Sequence, residues 1–320
     1  MLFYTSFSSL YRTNYLNVLY KIHINGCDYM KFVLLGCFFL FLFTIPGHVL
    51  AEHPTEIIKI KNSPKLERTI SVKSDQSKSF INQKSISNQY KEDGWQLIWH
   101  DEFDKNTLNQ NNWNTENWAA EKNNELQFYT PDNVQVQNGH LQLVSKKEQH
   151  QGRDYTSGAI HSKDKFSFRY GKVEIKAKLP VGQGIFPAIW MMPNIDNTWL
   201  PEIDIMEMLG HQPEKIWMVQ HWLDDNNQLV SQSDSYVGVN YSKGYHTYSI
   251  EWSPEEIIWY IDGNERFKTS TFSPSMDMYL YLNTAIGGEW PGSPDGSTVF
   301  PQVFEVDYVR IFQQIGVDQK

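Results

Sequence analysis

Three carboxylates, Glu202, Asp204 and Glu207, crowd into the stretch PEIDIMEMLG at residues 201–210. Two carboxyl groups held about 5–6 Å apart can cleave a glycosidic bond with retention, one attacking the anomeric carbon while the other protonates the departing oxygen. Three acids on one strand face repel one another, so a sheet gains no stability from collecting them. Two other readings compete with catalysis. An acidic strand can simply face solvent, and three carboxylates can hold a hard metal ion, which prefers oxygen ligands.

Parity complicates the chemistry. Ile203, Ile205, Met206 and Met208 mark the segment as a buried β-strand, and a strand sends alternate side chains to opposite faces. Glu202 and Asp204 then share a face while Glu207 points the other way. A β-bulge, with one extra residue between Asp204 and Glu207, would return Glu207 to the face of its neighbours. The two glutamates would then sit four strand steps apart, about 13 Å at the backbone for a rise of ~3.3 Å per residue. Inward-leaning side chains would bring their carboxyl groups to the roughly 5–6 Å of a retaining pair.

The elements that must position these acids read as strands. KVEIKAKL at 172–179 alternates Lys172, Glu174, Lys176 and Lys178 with Val173, Ile175, Ala177 and Leu179, one wet face and one dry. GHLQLVS, YHTYSIEW, EIIWYIDG, MYLYLNTAIGG and VFEVDYVRIF behave similarly, and Asp262-Gly263 is a hairpin-turn pair. No long stretch with a 3.6-residue period is present. The fold class expected is all-β, a two-sheet antiparallel β-sandwich. It spans residues 94–313, because all eleven tryptophans lie between Trp95 and Trp290. Residues 52–93 are rich in Ser, Lys, Asn and Gln without a tryptophan, a polar linker, and 314–320 form a short tail.

Upstream, Met30-Lys31 precedes a 14-residue apolar run, FVLLGCFFLFLFTI, followed by small residues at Val49 and Ala51. This predicts a signal peptide that starts at Met30 and is cut after Ala51, with residues 1–29 an upstream extension. The competing reading, a single-pass anchor, suffers from the shortness of the run. The protein is therefore expected to be secreted, to the periplasm or beyond. Both cysteines, Cys27 and Cys37, precede the cut, so the mature chain would hold no thiol. With 28 basic against 37 acidic residues the formal charge is −9, which disfavours nucleic acid, anionic lipid and sulfated polymers as partners.

EIDIME reads as E-x-D-x-x-E, and on this motif the chain resembles family 16 of the glycoside hydrolases, in the laminarinase-like, endo-β-1,3-glucanase branch. Lichenases carry a form one residue shorter. Further segments extend the resemblance in order: WQLIWHDEFD, NNELQFYT, YTSGAI, YGKVEIKAKLPVGQGIFPAIWMMP, YHTYSIEW, LNTAIGGEWPGSP and VDYVRIF. The resemblance implies a jelly roll with a concave substrate groove. It makes Glu202 the nucleophile, Glu207 the general acid/base and Asp204 the residue that holds and polarises the nucleophile. It places Trp190, Trp199 and Trp290 along the groove, where indole can pack on a sugar face; core packing is the competing reading for each. Asn124 is a candidate hydroxyl partner, with turn chemistry as its alternative, and His221 a candidate on the neighbouring strand, with a purely structural role as its own.

Relatives of this kind often hold a structural calcium, and the matching ligands here would be Asp307 with backbone oxygens of Glu102 and Gly139. An ordinary surface Asp is the rival reading. No cofactor is implied for catalysis. Ala159 stands where such proteins often carry Arg, and TWLPEID lacks the glycine that commonly precedes the first catalytic glutamate. The expectation is a secreted, monomeric, retaining endo-hydrolase of β-1,3-glucan whose only partner is the polysaccharide. The alternatives are a mixed-linkage β-1,3/1,4-glucanase, a transglycosylase, or a glucan-binding module without chemistry.

Overall fold

Alternation in the sequence becomes alternation in burial. In the strand Gly171–Lys178 every second residue is buried and the lysines and glutamate between them are half-exposed. The structure is a computed structural model that describes residues 91–92 and 94–316, all within the unit Thr69–Lys320. The expected signal peptide, its cleavage after Ala51 and most of the linker lie outside the described residues.

Two large antiparallel sheets dominate. One, the acid-bearing sheet, runs in the order Leu229–Val237, Lys215–Leu223, Glu202–Glu207, Ile185–Pro193, Met278–Ile286, Ala159–His161, Asn114–Thr115. The opposite sheet is built on Trp95–Asp101, Gln302–Gln314, Gly171–Lys178, His246–Trp252, Ile257–Ile261 and Asn264–Thr269. At its edge Lys91–Glu92 folds back on Trp95 and Gln96, so the sheet begins three residues before Gly94, and Gln302–Gln314 carries it one residue beyond 313. A third, three-stranded sheet contains the parallel pair Gln127–Tyr129 and Tyr155–Ser157, a departure from the all-antiparallel expectation. The described residues contain no α-helix, only two short 3-10 turns.

One apolar cluster fills the space between the large sheets, drawing Val173, Ile175, Val309 and Ile311 from one and Ile189, Met191, Ile203 and Leu282 from the other. Each such side chain, fully buried, contributes roughly 1.5–3 kcal/mol by removal from water. The Asp262-Gly263 pair forms the expected hairpin between Ile257–Ile261 and Asn264–Thr269. Both residues have positive φ, 50° and 71°, as a tight hairpin turn compatible with strand twist requires. Asp262 also anchors the neighbouring strand, accepting from Thr247 N at 2.9 Å.

Candidate active site

The parity problem is resolved by a bulge. On one side Asp204 pairs with Val219 and Glu207 with Trp217, so Ile205 and Met206 together oppose a single residue. On the other side Asp204 faces Trp190 and Met206 faces Ile189, leaving Ile205 unpaired. Both Ile205 and Met206 enter the sandwich core, at 2% and 0% exposure. Two consecutive core-facing residues restore Glu207 to the face of Glu202 and Asp204. The break is held from across the core. Trp259, on the opposite sheet, donates its Nε1 to the main-chain oxygen of Asp204 at 2.9 Å.

Burial then sets the electrostatics. Asp204 is 2% exposed and the side chain of Glu202 14%. Desolvation, followed by the charges of Glu202 and Glu207, pushes Asp204 well above the usual carboxylate range. A hydrogen bond between Asp204 and Glu202 raises the first and lowers the second. Burial also raises Glu202, to about 7, against the lowering effect of that hydrogen bond and of Lys122. Glu207 rises to about 8, through burial first and the charge of Glu202 second. Two carboxyl groups raised to about 7 and about 8 thus share a face, and the second stays protonated at neutrality.

His221 completes the cluster. It lies opposite Glu202 in register, with Nε2 3.5 Å from Asp204 Oδ2 and 3.9 Å from Glu202 Oε1. Its Nδ1 is 2.6 Å from the Ser231 hydroxyl, and burial depresses its pKa. Donor atoms of Glu202, Asp204 and His221 all lie within 4.8 Å of one another.

The aromatic expectations divide by location. Trp190 is not in the sandwich core. It sits beside Asp204, donates Nε1 to Asn283 Oδ1 at 2.8 Å and packs 4.8 Å from the ring of Tyr281, in a second apolar cluster on the site face with Tyr129, Ala159 and Tyr279. Trp199 and Trp290 are exposed large rings, 38% and 44% accessible. Trp290 meets Trp217 and Phe186 edge-on at 5.5 and 5.3 Å. The Asn124 amide donates to Glu289 Oε1 at 2.9 Å. Together with the bond from Glu289 N to Asn123 O, it ties its turn to the loop bearing Trp290.

Several residues of this face escaped the sequence reading. Trp217 has the same strand parity as His221, and that alternation could have found it. Glu116 could not have been found this way. It accepts hydrogen bonds from Tyr281 Oη at 2.9 Å and Trp118 Nε1 at 2.7 Å, with His161 Nε2 3.6 Å away. Its backbone N–H bonds to the carbonyl of Ala159, so one hydrogen-bonded acid borders the position where an arginine was expected.

The calcium expectation meets a competing cation. Strand register brings Asp307 between the ends of Trp95–Asp101 and His140–Ser145, close in the fold to Glu102 and Gly139. Its carboxylate, however, is engaged by Lys176 Nζ at 2.7 Å, with His140 Nε2 at 3.9 Å. Glu102 points its own side chain at Arg310, Oε2 to NH2 at 2.8 Å.

Comparison with known proteins follows the same lines. The family model "Glycosyl hydrolases family 16" matches residues 121–309, and a second, "Beta-glucan synthesis-associated protein SKN1/KRE6/Sbg1", matches residues 3–199. A β-glucanase of Rhodothermus marinus is 34% identical over 249 residues, covering 69% of this chain and 86% of that protein. A glucan endo-1,3-β-glucosidase A1 of Niallia circulans is 34% identical over 261 residues, and the match spans only 38% of that longer protein. Among solved structures, the laminarinase catalytic domain of Thermotoga maritima superposes with a TM-score of 0.65 at 36% identity, over 70% of this chain and all of that one. On the strength of these matches and of its bulged acid strand, the chain belongs to glycosyl hydrolase family 16.

Proposed function

We propose that this protein is an endo-acting hydrolase of β-1,3-glucan that retains configuration at the cut bond. One observation carries the reading: the bulge gathers Glu202, Asp204 and Glu207 on a single buried face with, among the described residues, no cation paired to Glu207, and burial keeps that acid protonated up to about pH 8. The substrate class is supported by relatives named for β-glucan and β-1,3-glucan cleavage.

In this mechanism Glu202 attacks the anomeric carbon while Glu207 gives its proton to the departing oxygen, forming a glycosyl ester. Esterification removes the charge of Glu202, and with it one of the influences holding Glu207 protonated. Glu207 can then ionise and draw a proton from the incoming water. Asp204 orients the nucleophile through its hydrogen bond. Digestion of laminarin, lichenan, agarose and κ-carrageenan, with chromatography of the fragments, tests the substrate; oligosaccharides from laminarin first and none from the two galactans are expected. Proton NMR of the first-formed anomer tests retention, and an inverted product would sink the double displacement.

A second reading, transfer of the glycosyl unit to another sugar, is favoured by the match to a family named for β-glucan synthesis. Products longer than the starting oligosaccharide would reveal it. Export is part of the proposal and rests on the apolar run at residues 32–45 and on Val49 and Ala51; a mature amino terminus at Glu52 is the checking observation. The same reading has a monomer and no catalytic cofactor. Calcium at Asp307 would have to displace Lys176, and a rise in unfolding temperature on adding Ca2+ tests that site.

A further inference from the structure

Oδ2 of Asp204 is buried and, among the described residues, no hydrogen-bond donor reaches it. Opposite it stands Nε2 of His221 at 3.5 Å, and Oε1 of Glu202 is 3.9 Å from the same nitrogen. The imidazole is partly exposed and its other nitrogen lies against the Ser231 hydroxyl. With the ring proton on Nδ1 and donated to Ser231, Nε2 presents a lone pair to two carboxylate oxygens. Three electron-pair donors then converge on one point with no positive group between them.

Those donors have the spacing of a particular ion. Tetrahedral Zn2+, with bonds of about 2.0–2.2 Å to nitrogen and oxygen, holds its ligand atoms roughly 3.3–3.6 Å apart. The two distances from His221 are 3.5 and 3.9 Å, and the whole trio fits within 4.8 Å, so small side-chain rotations would close the site. Calcium is a poor occupant because it seeks about 6–8 oxygens at longer range. An imidazole with two carboxylates suits zinc or its borderline neighbours.

We propose that Glu202, Asp204 and His221 form a three-point site for Zn2+, and that the bound ion caps Glu202 and reversibly inhibits the enzyme. Ser231 fixes the imidazole from behind, as an outer hydrogen bond does for zinc-ligating histidines. The fourth coordination position is left to water. Inhibition rests on the function proposed above; metal binding does not.

The test uses the full chain and Co2+, whose visible absorption in a tetrahedral site reports coordination without reference to activity. One equivalent should produce the band, Zn2+ should erase it by displacement, and Zn2+ should stop laminarin hydrolysis until a chelator is added. His221→Ala should lose the band, and Ser231→Ala should weaken Zn2+ binding about tenfold. Glu207→Gln, though slowed on glucan by about 10²–10⁴-fold, should keep it; thermal unfolding confirms that each variant is folded. A band that survives in His221→Ala, or its absence in a parent protein that still cleaves laminarin, would overturn the proposal. Cobalt binding in a parent that cleaves no glucan would instead leave the metal site standing and remove the glucanase reading.

Discussion

The two large sheets of this sandwich carry acidic residues on their outer faces, and they treat them in opposite ways. On the sheet opposite the site, Lys176 meets Asp307, Lys178 meets Glu305 and Arg310 meets Glu102, at 2.7, 3.0 and 2.8 Å. Partial burial raises the affinity of Glu102 for protons, but hydrogen bonds from His100 and Arg310 outweigh it and hold the acid at about 2. Glu305 is likewise lowered, with Lys178 and Tyr245 overcoming desolvation. On the acid-bearing sheet, Glu202 and Glu207 are raised to about 7 and 8, and the charge that acts on Glu207 is that of Glu202. Strand geometry and residue type are the same in both places. What differs is whether a cation accompanies the carboxylate into low dielectric, and the unaccompanied acids are the ones suited to chemistry.

Four measurements would break or sharpen that contrast. The largest effect is on rate. Glu202→Gln should abolish release of reducing ends from laminarin, and Glu207→Gln should lower it by about 10²–10⁴-fold; an unchanged rate in either would end the assignment of the acid trio. The parent activity should also fall as pH climbs through about 8, where Glu207 loses its proton. An alkaline limb unmoved by changes at Glu207 would separate the profile from that group.

Stability follows from the same shift. A carboxyl group raised to about 8 in the folded chain binds its proton more tightly than the unfolded chain, with its value of about 4.3. The stability it contributes is complete below about pH 4 and is lost as pH rises through 8. Glu207→Gln removes that loss, so its unfolding temperature should exceed the parent's by about 5 °C or more at pH 9 and converge with it at pH 4. Equal curves across the range would show that the acid is not buried against its preference.

Smaller effects test the scaffold. Trp259→Phe strands the carbonyl of Asp204, a buried acceptor, and should cost about 1–3 kcal/mol in denaturant unfolding. Smallest of all is Lys178→Met on the opposite sheet, whose partly exposed pair with Glu305 should be worth under about 1 kcal/mol. A larger loss there than at Trp259 would invert the picture of which sheet is held by its interior and which by its surface charges.

Much of the fold was legible because its signals are local. The alternation in KVEIKAKL and the Asp262-Gly263 turn name their own strands and hairpin, and a parity mismatch inside six residues was enough to require a bulge at Asp204–Glu207. Trp190 and His221 were placed on the right face by motif and strand adjacency. The bond from Asn124 to Glu289 was not legible, because the two are 165 residues apart. The Asp307 expectation overlooked Lys176, which belongs to another strand of the same sheet.

Side-chain periodicity and the spacing of Glu202, Asp204 and Glu207 are properties of neighbours along the chain, so the amino-acid order alone determined an all-β architecture and an acid trio on one bent strand. Proton affinity is different in kind. It depends on how much water each carboxyl group loses and on which charges approach it through space, and those neighbours are far away in the chain. Trp259 reaches Asp204 across 55 positions, and Tyr281 reaches Glu116 across 165. Only the packed sandwich, by excluding solvent from one face and bringing Glu202 close to Glu207, decided that Glu207 stays protonated at neutral pH.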